Sequence, residues 1–334
     1  MDDGARAGSP NAAMGNEWGV RAAVITEPGR LPEQAERPDP SPVAGEVVLE
    51  VLAAPLNPLD VAVGAGRFYG GHPPLPYVPG CEAVGRVDGR LVWVFGGGLG
   101  LKRDGTMAER VAVPAELLVD VPDGAPPATA AALGIAGLAG WMPVARRAPV
   151  RASETVLVLG ATGTAGRVAL QAARLLGAGR IVAAGRDPDG LARAKELGAD
   201  ATVRLDEADD LAAALRGACG GEGPTLVVDP LWGEPLAAAV EAAAPGARIV
   251  HVGQSAGPTT TLTSAAVRGK QLDILGYSDF AVPRDELARE YRVLVGRATA
   301  GEIRIDIEEI PLSDVADAWR RQAEGAGRKL VVVP

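Results

Sequence analysis

Val156-Leu157-Val158-Leu159-Gly160-Ala161-Thr162-Gly163-Thr164-Ala165-Gly166 carries the architecture of this chain, because an apolar strand runs straight into a glycine-spaced turn and then into a helix. The continuous apolar run Val156 to Leu159 fits a strand buried on both faces, as in a parallel sheet. Gly160, Gly163 and Gly166 permit a tight turn, a close approach of backbone to a pyrophosphate, and packing of helix on strand. The helix that follows, expected from Arg167 through Leu176, aims its first amides and positive dipole end at phosphates. A second strand at Arg180 to Ala184 completes the context in which a glycine motif reads as a dinucleotide site. The whole turn, with Ala161, Thr162, Thr164 and Ala165 beside the three glycines, is therefore a candidate cofactor contact.

The end of the second strand discriminates between dinucleotides. A cofactor lacking a 2′-phosphate usually meets an acid about 20 residues past the glycines, which accepts from the ribose hydroxyls. Here the strand ends in Ala184-Gly185-Arg186. A guanidinium forks onto a phosphate, which a carboxylate does not do. Asp187 reads as the cap of the next helix, with Pro188 in the first-turn position and Leu191, Ala194 and Leu197 at helical spacing. The expected cofactor is NADPH, with Gly185 and Arg186 at its adenosine end and Arg204 adding to the field around the 2′-phosphate.

Composition narrows the remaining classes. A chain of 334 residues with 47% hydrophobic content can bury a large core, and its length favours two domains over one. The net charge of −9, spread without a basic run, argues against nucleic acid or an anionic membrane surface as partner. Two distant cysteines, Cys81 and Cys219, exclude a disulfide framework and fit a reducing cytoplasm. No apolar run reaches the length of a membrane span, and the acidic start is unlike a signal peptide, so a soluble cytoplasmic protein is expected. Residues 1–19 are small, polar and aperiodic, which reads as a disordered tail.

Along the chain, short runs at Ala22 to Ile25, Glu46 to Ala53, Ala83 to Val87 and Leu91 to Phe95, punctuated by Pro and Gly, suggest an irregular barrel. Pro126 to Trp141 reads as a helical bridge. From Glu154 to Leu275 strands alternate with helices, at Val156 to Leu159, Arg180 to Ala184, Ala201 to Val203, Leu226 to Val228, Arg248 to Val252 and Leu272 to Leu275. That alternation predicts an α/β fold with a doubly wound parallel sheet. The end of the chain reads as strand (Ile303 to Ile307), helix (Leu312 to Arg321) and strand (Lys329 to Val333), completing the first domain.

Asn57-Pro58-Leu59-Asp60, Pro79-Gly80-Cys81-Glu82-Ala83-Val84-Gly85, Gly105-Thr106-Met107-Ala108-Glu109, the turn at Gly160 to Gly166, Val227-Val228-Asp229 and Gly327-Arg328-Lys329-Leu330 occur in an order and spacing that resembles the medium-chain dehydrogenase/reductase superfamily, zinc-free quinone oxidoreductase branch. The resemblance covers nearly everything from Val20 to Pro334. It implies a GroES-like β-barrel catalytic domain (20–142 and 275–334) around a Rossmann NADPH-binding domain (143–274), with the active site in the cleft between them. It also implies cofactor contacts at Leu231, His251, Val252 and Gly253, where strands end, and at Arg328 near the last strand. Relatives are often dimers through the edge of the Rossmann sheet, so a homodimer is expected.

Zinc-dependent relatives carry a Cys where this chain has Asn57 and a His where it has Cys81. One thiol without partners does not supply the three protein ligands of a catalytic zinc, so no metal is expected, and Cys81 reads as a small buried hydrophobe. Without a Lewis acid the substrate must be easily reduced. Quinones and α,β-unsaturated carbonyls qualify, because the charge left by hydride addition spreads onto an oxygen that needs only hydrogen-bond donors. In enoyl-reductase relatives a tyrosine follows the Asn-Pro-x-Asp segment by about ten residues. Tyr69 is the nearest phenol and the candidate donor, with Asn57 a second catalytic candidate. Asp60 reads as a structural ion pair rather than a base, and Trp93, Phe95, Trp141 and Phe280 could furnish an apolar wall for a flat ring, with core packing favoured for most of them. The alternatives are an enoyl-thioester reductase of fatty acid or polyketide synthesis and a non-catalytic NADPH-binding redox sensor.

Overall fold

The computed structural model describes residues 19–334; residues 1–18, nearly all of the expected tail, lie outside the described residues, and Gly19 already pairs with Pro38. The first part of the chain is β-rich: β1 (Gly19–Val24), β2 (Glu33–Pro38), β3 (Glu46–Pro55), a short helix α1 (Pro58–Gly64), β4 (Glu82–Val87), β5 (Arg90–Phe95), β6 (Arg110–Pro114) and β7 (Leu118–Asp120). β3 is the hub. It pairs antiparallel with both β4 and β6, and a register shift between Val51 and Ala53 bends it. The core under these strands holds Leu49, Tyr77, Val94 and Met107, all essentially without solvent contact.

A single helix from Pro126 to Trp141 is not what forms. α2 (Pro127–Ala132) and α3 (Ile135–Met142) are separated at Leu133-Gly134. The cause is Glu82, whose Oε2 accepts from the Ile135 amide at 2.8 Å, while a Cβ at Gly134 would stand 1.8 Å from the same carboxylate. Only glycine lets the chain break there. α3 then delivers Trp141 and Met142 to the core that both halves of the molecule share.

The middle of the chain alternates as expected: β8 (Thr155–Val158), α4 (Thr164–Leu175), β9 (Arg180–Gly185), α5 (Pro188–Glu196), β10 (Ala201–Arg204), α6 (Leu211–Ala218), β11 (Leu226–Asp229), α7 (Gly233–Ala242), β12 (Arg248–His251), α8 (Ser264–Gly269) and β13 (Asp273–Gly276). All pairs are parallel and the order is β10-β9-β8-β11-β12-β13. Strand order reverses between β8 and β11, which is where open α/β sheets bind ligands. Odd and even residues of β8 enter different cores, Val156 and Val158 on one face and Leu157 and Leu159 on the other, which explains the unbroken apolar run.

The chain returns through α9 (Arg284–Thr299), β14 (Ile307–Pro311), α10 (Val315–Glu324) and β15 (Lys329–Val333). β15 pairs parallel with β14 and antiparallel with β3, so the end of the chain extends the barrel sheet beyond β3. The strand expected at Ile303 begins only at Ile307. The residues before it have other partners: Arg304 exchanges two 2.9 Å hydrogen bonds with the Gln171 side chain, and Asp306 receives Arg167 and Arg193, each at 3.0 Å. α9 was not expected, although Leu287, Tyr291, Leu294 and Val295 form its buried stripe. No helix among the described residues is long and apolar enough to cross a membrane.

α3 and α4 touch closely because Gly140 has no side chain; a Cβ there would lie 2.2 Å from the Ala165 carbonyl oxygen, in the first turn of α4. Gly140→Ala should therefore push the two helices apart and cost about 1–3 kcal/mol, the usual scale of overpacking. Thermal unfolding followed by circular dichroism should show a lower Tm, and an unchanged Tm would mean that the contact yields freely.

Candidate functional site

The turn after β8 is built for an anion. Gly160 has φ +59°, and a Cβ at Gly166 would lie 2.4 Å from the Gly160 carbonyl, so α4 seats directly on the turn. Gly163, the residue before α4, is exposed, and a Cβ there would find nothing nearer than 3.6 Å. The outer side of the turn is thus open where the amides of Thr164, Ala165 and Gly166 lack acceptors within their own helix. Ala161 is buried and donates to the Ala184 carbonyl at 3.0 Å, tying turn to β9. The cradle fits a pyrophosphate.

At the end of β9, a Cβ on Gly185 would stand 2.6 Å from Thr162 Cγ2, so its absence lets Thr162 pack beneath the corner. Arg186 follows, exposed. Asp187 caps α5 as expected, accepting from the Gly190 amide at 2.8 Å, which commits it to the helix rather than to a ribose. Arg204 forks onto Asp206, both contacts 3.1 Å, and also pairs with Glu207. Its guanidinium already has carboxylate partners, and it holds the Asp206 carboxyl below its ordinary pKa.

On the far side of the switch point, buried Asp229 ends β11. Its Oδ1 accepts from the Leu231 and Trp232 amides at 2.9 Å each, and Oδ2 faces His251 Nδ1 at 3.1 Å. Trp232 has φ 58° and ψ −154°, a conformation nearly reserved for glycine and held here by Asp229. Its ring tilts over His251 with centroids 4.2 Å apart. Leu231, His251, Val252 and Gly253 are all half-buried along this carboxyl edge.

The barrel wall is organised around Glu82, which sequence reasoning passed over. Its carboxylate is fully buried and accepts from Asn57 Nδ2 (2.9 Å), Trp93 Nε1 (2.9 Å) and the Ile135 amide. Asn57 Oδ1 in turn accepts from Lys329 Nζ at 2.5 Å, and Lys329 also donates to the Leu56 carbonyl. Burial pushes Glu82 up to about 7 and pulls Lys329 down to about 8, while the charge of each opposes the other's shift. The readable signal was an acid inside an apolar strand.

The structural ion pair expected at Asp60 is corrected. In place of a salt bridge Asp60 makes hydrogen bonds, accepting from the Asn57 amide at 2.8 Å and the Cys81 amide at 3.0 Å, and burial raises its pKa. Cys81 is buried and burial raises its thiol pKa. Trp93, Phe95 and Trp141 are core; Phe280 is not, being half exposed where it meets Phe95. Tyr69 is 93% exposed, its ring tilted against Phe68, and outside the cluster around Asn57. Arg328 lies on the surface 3.7 Å from Glu308, whereas its neighbour Lys329 points inward.

Zinc does not fit at Asn57 and Cys81. The amide is held between a carboxylate and an ammonium, and a buried cation already stands beside it. Among the described residues no group of three or more His, Cys, Asp or Glu is arranged to hold a metal.

The family described as zinc-binding dehydrogenase matches residues 165–289. A phenolphthiocerol/phthiocerol polyketide synthase of Mycobacterium tuberculosis is 27% identical across 94% of this chain, which spans only 15% of that protein's length. Among solved structures, an NAD-dependent alcohol dehydrogenase is 30% identical, with a TM-score of 0.83 over 94% of this chain and 99% of the other. The quinone oxidoreductase of Thermus thermophilus, also solved in complex with NADPH, is 30% identical, with a TM-score of 0.78 over 94% and 100%.

Glu82 makes stability depend on pH. An acid whose pKa is higher folded than unfolded binds its proton more tightly in the folded state, so its contribution is full below the unfolded value and is lost as pH rises towards about 7. Glu82→Gln has no such proton. The gap in Tm between wild type and Glu82→Gln should shift in favour of the variant from pH 5 to pH 7; a constant gap would show that Glu82 stays ionised throughout.

Proposed function

Because the chain belongs to the medium-chain dehydrogenase/reductase superfamily, we propose that it is an NADPH-dependent reductase that transfers hydride, without a metal ion, to a quinone or an α,β-unsaturated carbonyl compound. The observation that carries this reading is the buried network in which Asn57 sits between Glu82 and Lys329 and offers no ligand set to a Lewis acid. A simple ketone would then lack polarisation, whereas a conjugated acceptor spreads the charge it gains.

A bound dihydronicotinamide would supply the hydride. The residues of this chain would hold it: the Gly160 to Gly166 turn would take the pyrophosphate on first-turn amides, Arg186 would pair with a 2′-phosphate, and Leu231, His251, Val252 and Gly253 would line the carboxyl edge of the sheet. Asn57 is buried and holds Glu82 and Lys329 together behind the barrel wall. Phe280 against Phe95, ring centroids 4.9 Å apart, forms an apolar wall suited to a flat substrate. The outer edge of β13, paired only to β12 among the described strands, suits a homodimer that continues the sheet.

A second reading, an enoyl-thioester reductase, is supported by the 27% identity to a polyketide synthase. NADPH oxidation with 9,10-phenanthrenequinone, a simple enone and crotonyl-CoA separates the two. Turnover with the quinone or enone is expected, turnover confined to crotonyl-CoA would replace the first reading with the second, and tight NADPH binding with no turnover would defeat both.

The cofactor assignment rests on Arg186. Arg186→Asp should weaken NADPH by about 1.5–3 kcal/mol, the scale of a charged hydrogen bond, and NADH much less. Fluorescence titration with both nucleotides measures this, and equal weakening would remove the preference for the phosphorylated cofactor.

A further inference from the structure

The segment just after β13 pairs a phenol with a buried acid. Tyr277 is half-buried, its amide donates to the His251 carbonyl at 2.9 Å, and its hydroxyl donates to Asp279 Oδ1 at 2.5 Å. Asp279 is buried at the start of a short turn whose next residue, Phe280, lies against Phe95 of β5. The pair therefore bridges from the carboxyl edge of the Rossmann sheet to the barrel. Side-chain alternation along β13 puts Leu275 and Tyr277 on the face that packs with α3 and α9 rather than the face covered by α7 and α8. That face packs against the core that holds Trp93 and Tyr291, stacked with ring centroids 4.2 Å apart.

We propose that Tyr277 is the catalytic residue that delivers the proton in reduction of a conjugated carbonyl, and that Asp279 is the positioning residue that orients and reprotonates it. The proposal rests on the reductase reading and deepens it. Hydride from reduced nicotinamide dinucleotide adds to the β-carbon, and the carbon–carbon π pair moves to leave an enolate. The enolate takes the Tyr277 hydroxyl proton, forming an O–H or α-C–H bond as the Tyr277 O–H bond breaks. With Asp279 neutral the hydrogen bond runs the other way, its O–H donating to the Tyr277 oxygen and leaving the phenol proton free for the enolate; the phenolate then takes the Asp279 proton, and the Asp279 carboxylate is reprotonated from water. The dinucleotide ends oxidised, and the substrate has gained one hydride and one proton.

Burial keeps a proton available to Asp279. Its pKa is pushed up to about 7, with the hydrogen bond from Tyr277 opposing the shift and the charge of Glu82, on β4, adding to it; Glu286, on α9, acts on Tyr277 in the same raising sense. α3, the helix packed against this turn, brings no charged side chain. An acid near neutrality is the value at which proton transfer is most effective. Tyr69, by contrast, stands in solvent.

The test uses wild type, Tyr277→Phe and Asp279→Asn, each checked for an unchanged circular dichroism spectrum and NADPH affinity. In Tyr277→Phe, enone turnover should fall on the order of 10²- to 10⁴-fold. Reduction of 9,10-phenanthrenequinone, whose product oxygens take protons from water, should fall far less. Wild-type kcat/KM for the enone should decline as pH rises through about 7, where Asp279 ionises, and Asp279→Asn should lose that inflection. A readout independent of turnover is the infrared carbonyl stretch of carbonyl-¹³C trans-cinnamaldehyde on the protein, expected to be shifted to lower frequency in wild type and not in Tyr277→Phe. Equal enone rates, or the same stretch in both proteins, would overturn the assignment. If wild type turned over no acceptor, the reductase reading would fail separately, and the carbonyl stretch would still decide whether Tyr277 grips the substrate oxygen.

Discussion

A buried carboxylate needs donors, and Glu82 collects three of them from parts of the chain far apart in sequence. Asn57 comes from the start of α1, Trp93 from the neighbouring strand, and Ile135 from the first turn of α3. Hydrogen bonds to a charged group contribute about 1.5–3 kcal/mol each, and losing one would leave the charge stranded in a dry core. Glu82 thereby locks the barrel to the helical bridge that leads into the Rossmann sheet. Asn57 passes the tie on to Lys329, in the last strand, so the end of the chain is bound to the same point.

That arrangement has a chemical consequence. Lys329 keeps its ammonium bonded to the Asn57 amide oxygen, and the nearby Glu82 and Asp60 carboxyls oppose the lowering of its pKa by burial. A buried ammonium with its own partners is not a substitute for a Lewis acid, because it has no open coordination position to offer a carbonyl. The buried network around Asn57 is consequently structural and electrostatic.

In the parallel sheet, the carboxyl edge at β11 and β12 is held by one acid. Asp229 takes the Leu231 and Trp232 amides with one oxygen and faces His251 with the other, which keeps Trp232 in a backbone conformation that costs on the order of 1–3 kcal/mol. The cradle at Gly160 to Gly166 lies one strand away, and a Cβ on Gly160 would come within 3.1 Å of Leu231. The two loops are thus packed on each other, and the strain at Trp232 goes with the placement of the segment that leans on the phosphate turn.

Local rules made much of this legible in advance. The apolar run of β8, the glycine spacing after it, the Asp187 cap and the alternation of strands and helices all depend on nearest neighbours and period, and each formed where those signals stood. Leu133-Gly134 broke a run of good helix formers because a carboxylate on β4, 53 residues before Ile135, claimed the Ile135 amide. Ile303 to Asp306 stayed out of the sheet because their polar groups met Gln171, Arg167 and Arg193. Sequence by itself determined the fold class and the strand, glycine turn and helix from Val156 onward, since these follow from residue type and spacing along one stretch of chain. Only tertiary structure decided that Glu82, Asn57 and Lys329 share one buried network, that Tyr69 faces solvent and that Tyr277 meets Asp279. The physical reason is that burial and hydrogen-bond partnership are properties of what the chain brings together, and no local pattern records them.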